Sequence, residues 1–314
     1  MIILTDNIEF ARHCIVQSDD WQTCKISALA APVAALAGEL FNTSSIMRTE
    51  VPASEYWEYL LAVDHASKSQ YDVLSGLAVA GLQLPDRTLC CAGSGDGFHG
   101  FKDRRWKACR GNIHLSAFVK PRLEIPGAAT GFIVAGVLAA LQTAESFDLQ
   151  GAVPTIKWVN DILVEGAKLG GVLARLQTQG AVTESAVVGI GFNVEQRPPV
   201  GRDPYVPEVG ALSEFVKTPE SCLHPDAFPR LVERLGRNLG SLCQGHFSEL
   251  LDLYRQHSMV LGRHVTISED TLEGFSRTIA RGVVESIGPS LELFIRNHPD
   301  PVTKGRLRLE NNHV

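Results

Sequence analysis

The order of hydrophobic and polar positions predicts a chain that mixes helices with strands. Apolar runs predict strands at Met1–Leu4 and Ile113–Val119, and the stretch from Tyr56 to about Gln70 is typical of an amphipathic helix that turns into a strand around Leu60–Val63. Helical spacing of small and apolar residues predicts helices at Ala28–Phe41, Asp72–Ala80, Ala128–Ala144, Pro225–Leu242 and Ser248–Gln256. The function of the Ala28–Phe41 helix is not readable from its sequence.

Two regions are dominated by short strands. The first holds Thr155–Trp158, Ile162–Val164, Gly170–Gln177 and Ala186–Ile190, and the short intervals between these strands favour hairpins over helical crossovers. The second follows His257 and holds Leu261–Ile267, Leu272–Ser276, Val283–Ser286, Leu291–Ile295 and Arg306–Leu309. Short strands separated by Gly, Pro and charged turns are typical of a small β-barrel, so we predict a domain boundary near 258–261.

Composition narrows the class of protein. The 314 residues are 45% hydrophobic and 20% charged with a net charge of -6, which is typical of a globular chain and gives no overall basic field for nucleic acid or anionic lipid. Seven cysteines without paired spacing predict reduced thiols in a cytoplasmic protein. The first residues do not resemble a signal peptide, and the apolar run Gly127–Leu141 is too short for a bilayer, so we expect a buried core helix there and no membrane.

The first cluster of candidate chemistry is Lys157–Asp161. A strand that ends in Lys, Asn and Asp places a cation and a carboxylate at one rim of a sheet, where they could hold a phosphate group and Mg²⁺. The alternative is an ordinary Asn-Asp turn with an exposed lysine.

The second cluster joins Lys168–Leu173 to Val188–Asn193. Glycines at a strand start let a ligand approach the backbone, and the preceding lysine could reach a carboxylate or phosphate there. The alternative for each segment is a bulge or tight turn at a strand end. Gly189-Ile190-Gly191 is weak as a dinucleotide signature, because no glycine-rich turn leads from it into a helix.

The third cluster is the segment Gly93–Trp106, rich in glycine and with three basic residues, Lys102, Arg104 and Arg105, close together. Such a loop can close over an anion, with Trp106 as an apolar wall. The alternative is a solvated surface loop. The direct return through Gly111–Ser116 into a core strand argues against that alternative.

Together these motifs resemble the catalytic module of biotin protein ligases, within the wider biotin and lipoate ligase superfamily. Lys157–Asp161 is similar to the family's Lys-Trp-Pro-Asn-Asp, Lys168–Leu173 to its Lys-Leu-Ala-Gly-Ile-Leu, and Gly189–Asn193 to its Gly-x-Gly-x-Asn. Gly111–Ser116 resembles Gly-Asn-Leu-Tyr-Leu-Ser, and Ser67–Gln70 resembles the Ser-Thr-Asn segment. The resemblance covers roughly residues 56–309.

Some positions depart from the family pattern. The family's biotin loop, Gly-Arg-Gly-Arg-x-Gly-Arg-x-Trp, aligns with Phe98–Trp106. Arg104 and Trp106 are kept, whereas His99 and Phe101 stand in place of arginines, and Phe101 takes the place of the arginine that helps to retain the acyl-adenylate. Phe98 and Asp103 replace glycines, Val159 replaces proline, Gly170 replaces alanine and Ser69 replaces asparagine.

The resemblance implies an α+β fold, in which a mixed β-sheet backed by helices (a class II synthetase-like biotin/lipoate ligase fold) precedes a small C-terminal SH3-like β-barrel. It divides the chain into an N-terminal extension packed on the core (1–55) without an evident helix-turn-helix, a catalytic domain (56–258) and the barrel (259–314). The implied reaction uses ATP and Mg²⁺ to adenylate biotin, and then transfers biotin to a lysine of the biotin carrier domain of a carboxylase. The sequence leaves the oligomeric state, including a homodimer, open.

The resemblance also assigns residues to roles. Lys168 and Arg104 are the expected catalytic residues, with Lys168 bridging the biotin carboxylate and the α-phosphate. Residues expected to bind substrate are Ser67, Lys68, Ser69, His99, Gly100, Phe101, Trp106, His114, Gly171 and Gly189. Residues expected to bind the nucleotide are Lys102, Arg105, Lys157, Asn160, Asp161, Gly191 and Asn193, and Asp161 would meet Mg²⁺ through ATP.

Two other functions stay open at this point. The altered loop is compatible with a lipoate or octanoate ligase of the same superfamily, whereas Trp158 and the predicted barrel favour biotin. A non-catalytic acyl-adenylate or cofactor binder is favoured by Phe101 and Asp103, and is opposed by the retention of Lys168, Asn160 and Asp161.

Overall fold

The structure of this chain is a computed structural model that describes residues 1–16, 18–52, 55–201, 205, 208–217, 224–270 and 276–310. The strands are β1 (Ile2–Thr5), β2 (Gln22–Lys25), β3 (Ser45–Glu50), β4 (Tyr59–Ala66), β5 (Thr88–Gly95), β6 (Ile113–Val119), β7 (Leu123–Glu124), β8 (Pro154–Lys157), β9 (Asp161–Val164), β10 (Ala167–Gln179), β11 (Val182–Phe192), β12 (His264–Asp270), β13 (Ser276–Ile287), β14 (Leu293–Ile295) and β15 (Arg306–Leu309). The α-helices are α1 (Ile8–Cys14), α2 (Ala31–Leu40), α3 (Gln70–Val79), α4 (Ala128–Glu145), α5 (His224–Cys243) and α6 (Phe247–Gln256), and short 3₁₀ turns lie at Ile26–Ala28, Phe101–Asp103 and Leu212–Glu214.

The large sheet is mixed, as predicted. Its strand order is β2-β3-β1-β4-β5-β6-β11-β10-β9-β8, with β7 paired to β11. Strands β1, β4 and β5 run parallel to one another, while β5, β6, β11, β10, β9 and β8 form consecutive antiparallel pairs. The hairpins expected between residues 155 and 190 are therefore confirmed. Helices cover this sheet, so the predicted α+β fold class is confirmed.

Helix α4 packs against the centre of the sheet and is covered in turn by α5 and α6. Close packing is possible because α4 is rich in small residues: a Cβ at Gly136 would lie 2.8 Å from a methyl carbon of Val172. Among the described residues α4 is the one helix long and apolar enough to cross a membrane. Of its 18 residues, 67% are buried inside the protein. This agrees with the expected core helix.

The opposite side of the sheet carries a second apolar core, formed with α2 and α3. Leu36 and Leu74 of these helices are fully buried there. Helix α3 begins at Gln70 and so brings the Ser67–Gln70 segment to the sheet face where the site described below is found.

The C-terminal part is a four-stranded antiparallel sheet in the order β14-β13-β12-β15. It contacts the large sheet: the Trp158 indole Nε1 donates a hydrogen bond to the carbonyl oxygen of Leu291 at 2.6 Å. A small C-terminal β unit is confirmed, and its closure into a barrel stays a prediction. The predicted strand Leu272–Ser276 lies almost wholly outside the described residues.

The N-terminal half differs from prediction in several elements. The amphipathic helix expected from Tyr56 is wrong, because the chain is already a strand from Tyr59. Trp57, Leu60 and Leu61 mimic helical spacing, but the apolar run is that of a parallel strand buried on both faces. Strands β2 and β3 carry little apolar pattern and were not predicted. Through β1, residues 1–55 join the large sheet beside β4.

Candidate functional site

The floor of the site is a stretch of the large sheet that lacks side chains. Gly171 of β10 pairs with Gly191 of β11, which pairs with His114 of β6, and Gly189 pairs with Ser116 two residues along. Residues two apart on a strand share a face, so these glycines form one groove beside the His114 and Ser116 side chains.

Two aromatic rings stand on the glycines of β11. A Cβ at Gly191 would lie 2.6 Å from the indole of Trp106, and a Cβ at Gly189 would lie 2.9 Å from the ring of Tyr71. Both rings therefore pack against bare backbone, which only glycine allows here. They form the two apolar walls of the groove.

His114 is held as a neutral imidazole at the base of the Trp106 wall. Its Nδ1 accepts a hydrogen bond from the Trp106 indole Nε1 at 3.3 Å, and its Nε2 donates to the carbonyl oxygen of Cys109 at 3.1 Å. The side chain is almost fully buried, and that burial lowers the His114 pKa to about 4. The site is thus lined by a polar but uncharged ring at neutral pH.

A cation and a carboxylate meet at the polar end of the groove. The Nζ atom of Lys168 lies 2.6 Å from Oδ1 of Asp161, and both side chains keep only about a fifth of their surface exposed (19% and 17%). The hairpin of β9 and β10 brings them together, with a register shift between Lys168 and Gly170. Asn160 Nδ2 donates to the carbonyl oxygen of Val172 at 2.6 Å, which fixes the turn before Asp161.

Two further predicted nucleotide residues are already engaged within the protein. The Nζ of the buried Lys157 donates a hydrogen bond to the carbonyl oxygen of Tyr205. Asn193 is completely buried, and its amide bonds to Gly210 and Asn112. Both line the cavity described below, and their assignment to the nucleotide stays a prediction.

The loop Phe98–Trp106 lies over one side of the groove. The amide of Trp106 donates to the carbonyl of Phe98 at 2.9 Å, and the amide of Gly100 donates to the carbonyl of Arg104 at 2.6 Å. His99 Nε2 lies 2.9 Å from the Asp72 carboxylate, which ties the loop to α3. Phe101, at the position of the family's arginine, is 54% exposed.

These elements enclose a cavity of about 490 Å³, a size typical of small-molecule sites. Sixteen predicted site residues line it: Ser69, His99, Gly100, Phe101, Arg104, Arg105, Trp106, His114, Lys157, Asn160, Asp161, Lys168, Gly171, Gly189, Gly191 and Asn193. Ser67, Lys68 and Lys102 are exposed and lie outside its wall. The roles assigned to these three residues stay predictions.

The sequence interpretation missed several residues that line the same cavity. Tyr71 follows the Ser67–Gln70 segment directly, so its neighbourhood was the available signal. Lys304 and Arg306 come from the C-terminal sheet, and no local pattern indicates that they face the cavity. Arg306 lies over the ring of Tyr205, 3.8 Å from the ring centroid.

The charge of the cavity wall is strongly one-sided. Among the described residues, Asp161 is the one carboxylate that lines it, against the cations Arg104, Arg105, Lys107, Lys157, Lys168, Lys304 and Arg306. In a chain with a net charge of -6, such a concentration of cations marks a site for an anionic ligand.

Comparison with known sequences points to one family. Residues 85–193 match the sequence model of the Biotin/lipoate A/B protein ligase family. The bifunctional ligase/repressor BirA of Bacillus subtilis is 32% identical over 135 residues, which is 41% of this chain and 40% of that protein. The biotin--[acetyl-CoA-carboxylase] ligase of Mycobacterium tuberculosis is 30% identical over 153 residues, 47% of this chain and 54% of that protein. The chain thus spans about half of the length of these curated relatives.

The fold is shared over a longer stretch than the sequence match. It is similar to the structure of the biotin protein ligase from Aquifex aeolicus in complex with biotin and ATP, with a TM-score of 0.60 and 18% identity over 81% of this chain and 99% of that one. A biotin protein ligase-like protein of unknown function from Silicibacter has a TM-score of 0.54 and 12% identity over 80% and 95%. At these identities the likeness is one of fold. The family match itself extends over residues 85–193, from β5 to β11.

Proposed function

We propose that this chain is an ATP-dependent biotin–protein ligase that adenylates biotin and transfers it to a lysine of a biotin carrier domain. The observation that carries the proposal is the pairing of Lys168 with Asp161, 2.6 Å apart, at the polar end of an aromatic groove with a basic wall. The match of residues 85–193 to the Biotin/lipoate A/B protein ligase family supports it.

The first step joins two anions. An oxygen of the biotin carboxylate attacks the α-phosphorus of ATP, the bond from that phosphorus to the β-phosphate bridging oxygen breaks, and pyrophosphate leaves. Repulsion between carboxylate and phosphate opposes their approach, so a fixed cation between them lowers the barrier. The Lys168 ammonium beside Asp161, at the polar end of the groove, supports this role.

The second step uses the mixed anhydride that results. The amine of a carrier-domain lysine attacks the acyl carbon, AMP leaves with the electrons of the carbon–oxygen bond, and the amine loses its proton to solvent. Arg104 and Arg105 lie in the cavity wall on the loop that covers the groove. They would hold the phosphate of the acyl-adenylate in place until the carrier lysine arrives.

The aromatic walls suit the ring system of biotin. Trp106 and Tyr71 pack on Gly191 and Gly189 and line the cavity, so they would offer apolar contacts to the bicyclic head. Ser69 and Ser116 line the same cavity and offer hydroxyls to the polar ureido group. Neutral His114 completes the pocket without adding charge beside that uncharged head.

The donor set is compatible with Mg²⁺ carried by the nucleotide. Mg²⁺ in such enzymes is typically bound by substrate phosphates and one or two carboxylates, and Asp161 is the carboxylate that faces the cavity among the described residues. When bound, Mg²⁺ would neutralise phosphate charge. Asp161 would then contact both the metal and Lys168. Its ion pair with Lys168 would keep the lysine in the groove. Among the described residues no cluster of three metal-ligating side chains is present.

The remaining partner assignments are part of the same proposal. The expected protein partner is the biotin carrier domain of a carboxylase, and the expected location is the cytoplasm. A homodimer stays open.

A second candidate is a lipoate or octanoate ligase, which the apolar rim favours. Phe101 and Val200 line the cavity and are 54% and 46% exposed, so a longer alkyl acid could find apolar contacts there. A non-catalytic acyl-adenylate binder would use the same groove without turnover.

ATP–pyrophosphate exchange, measured with biotin, lipoate and octanoate side by side, separates these functions. The proposal predicts exchange that depends on biotin and is much weaker with the other two acids. If only lipoate or octanoate supports exchange, that acid and not biotin is the substrate. Tight binding of an acid without any exchange would favour the non-catalytic binder.

A further inference from the structure

Asn112 fixes the turn that follows β11, although it lies outside the cavity. Its side chain is completely buried just before β6. The Oδ1 atom accepts hydrogen bonds from the backbone amides of Val194, Glu195 and Gln196 at 3.0, 3.2 and 3.0 Å, and Nδ2 donates to the carbonyl oxygen of Gln196 at 2.8 Å. One amide group thus satisfies four backbone groups of a single turn.

The same side chain begins a hydrogen-bonded path to the lysine of the groove. Asn112 Nδ2 donates to Oδ1 of Asn193 at 3.3 Å, and Asn193 Nδ2 donates to the carbonyl oxygen of Gly210 at 3.0 Å. The amide of Gly210 donates to the carbonyl oxygen of Lys168 at 3.0 Å, and the Lys168 amide donates to the carbonyl of Glu208 at 3.0 Å. Both the amide and the carbonyl of Lys168 are therefore bonded to the segment 208–210.

This path is entirely internal. Asn112 and Asn193 have no exposed surface, and the amide of Asn193 also donates to the carbonyl of Leu169 at 2.7 Å. Buried amides that are fully bonded hold one geometry, because any shift leaves a polar group without a partner in a medium of low dielectric. The register of Lys168 is consequently tied to the turn after β11.

We propose that Asn112 is a positioning residue for the adenylation step. Through Asn193 and Gly210 it sets the backbone of Lys168, and so places the Lys168 ammonium where the acyl carboxylate and the α-phosphate meet. This inference rests on the proposed ligase reaction. It gives Asn193 a part in the path between Asn112 and Lys168.

The test compares Asn112→Ala with a matched buried asparagine. Asn238 is 5% exposed and donates to Ala135 and Gln142 of α4, both at 3.2 Å, and none of these three residues lines the cavity. We expect Asn112→Ala to lower kcat of pyrophosphate exchange about ten- to a hundredfold, since small misplacements of a catalytic group cost that much. Biotin affinity without ATP should stay within about twofold, because the aromatic walls are untouched. Asn238→Ala should lose thermal stability and keep kcat.

A double variant shows whether Asn112 acts through Lys168. If it does, adding Asn112→Ala to Lys168→Ala produces no further fall in the exchange rate, because the positioned group is already gone. If the reductions in exchange rate of the two single variants multiply in the double variant, the proposal is overturned. A rise in the biotin dissociation constant equal to the fall in kcat, or a similar loss of kcat in Asn238→Ala, would overturn it as well.

A measurement that needs no turnover separates this inference from the proposed function. In Asn112→Ala the backbone amides of Lys168 and Gly210 should exchange hydrogen faster than in the wild type, while those of helix α4 keep their rates. Unchanged exchange at Lys168 and Gly210 would overturn the positioning role even in an active enzyme. A wild type that exchanges no pyrophosphate with biotin would instead contradict the proposed ligase reaction, leaving the amide measurement as the test of the path.

Discussion

Replacing Gly191 by alanine should displace the Trp106 wall and weaken the binding of biotin. The added Cβ would lie 2.6 Å from two indole carbons of Trp106, whereas carbon atoms in contact normally sit about 3.5–4.0 Å apart. The indole must therefore move by about 1 Å. Rigid rings and strand backbone leave little other room, since Gly191 is held between Gly171 and His114 in the sheet.

The cost of this movement has two parts. Overpacking of a well-packed site typically costs about 1–3 kcal/mol. A displaced indole also stretches the bond from Trp106 Nε1 to His114 Nδ1, now 3.3 Å, and a hydrogen bond of this kind contributes about 0.5–1.5 kcal/mol. We expect the free energy of unfolding to fall by about 1.5–4.5 kcal/mol when both parts are lost. Each 1.4 kcal/mol lost from binding would raise the biotin dissociation constant about tenfold.

Urea unfolding and calorimetric titration with biotin provide the measurement, and Gly171→Ala is the control for stability. A Cβ at Gly171 would meet Asp161 Oδ1 and Lys168 Nζ at 3.5 Å, an ordinary contact. The free energy of unfolding of Gly171→Ala should therefore differ from that of the wild type by less than about 0.5 kcal/mol. Equal stability losses in the two variants, or a Gly191→Ala protein that binds biotin as the wild type does, would refute the role given to the Trp106 wall.

Three further predictions concern charge. Asp161→Asn should raise the KM for MgATP more than that for biotin, because the amide keeps the shape and loses the charge that attracts the cation; equal rises would indicate damage to the turn. Phe101→Arg should slow the release of bound radiolabelled biotinyl-adenylate by about ten- to a hundredfold, since a charge-assisted hydrogen bond is worth about 1.5–3 kcal/mol; an unchanged release rate would show that the loop already retains the adenylate. Burial lowers the pKa values of His114 and His224 from 6.5 to about 4, so the unfolded chain takes up protons first as the pH falls below 6.5, and stability present at pH 7 is progressively lost toward pH 4. Each histidine should lower the free energy of unfolding by about 2 kcal/mol between pH 7 and pH 5. Urea unfolding at the two pH values measures this loss, which should be smaller by one such contribution in His224→Phe than in the wild type.

The sequence predicts well where local chemistry and local pattern coincide. The strand Ile113–Val119 and the helix at 128–144 were expected from periodicity, and the structure places them at β6 and α4. Lys157–Asp161 and Lys168–Leu173 meet as predicted because a hairpin between β9 and β10 closes within a few residues. Short loops leave few alternatives for such pairs.

Features that depend on distant parts of the chain could not be predicted in this way. Lys304 and Arg306 reach the cavity only through the packing of the C-terminal sheet. The path from Asn112 to Asn193 joins residues 81 positions apart, and nothing local distinguishes these asparagines from capping or turn residues. The helix predicted before β4 is wrong because of a misleading local pattern. Helical spacing arose there by chance, in a run of apolar residues that is buried on both faces of the sheet.

The central claim is that Lys168 bridges the carboxylate of biotin and the α-phosphate of ATP. The most direct measurement is the formation of biotinyl-adenylate from α-labelled ATP and biotin by the wild type and by Lys168→Ala, with thermal unfolding of both. The account predicts that the wild type forms adenylate and that Lys168→Ala loses at least about a hundredfold in rate, the effect of removing one transition-state donor, with its melting temperature preserved. Adenylate formation by Lys168→Ala at nearly the wild-type rate would contradict the account.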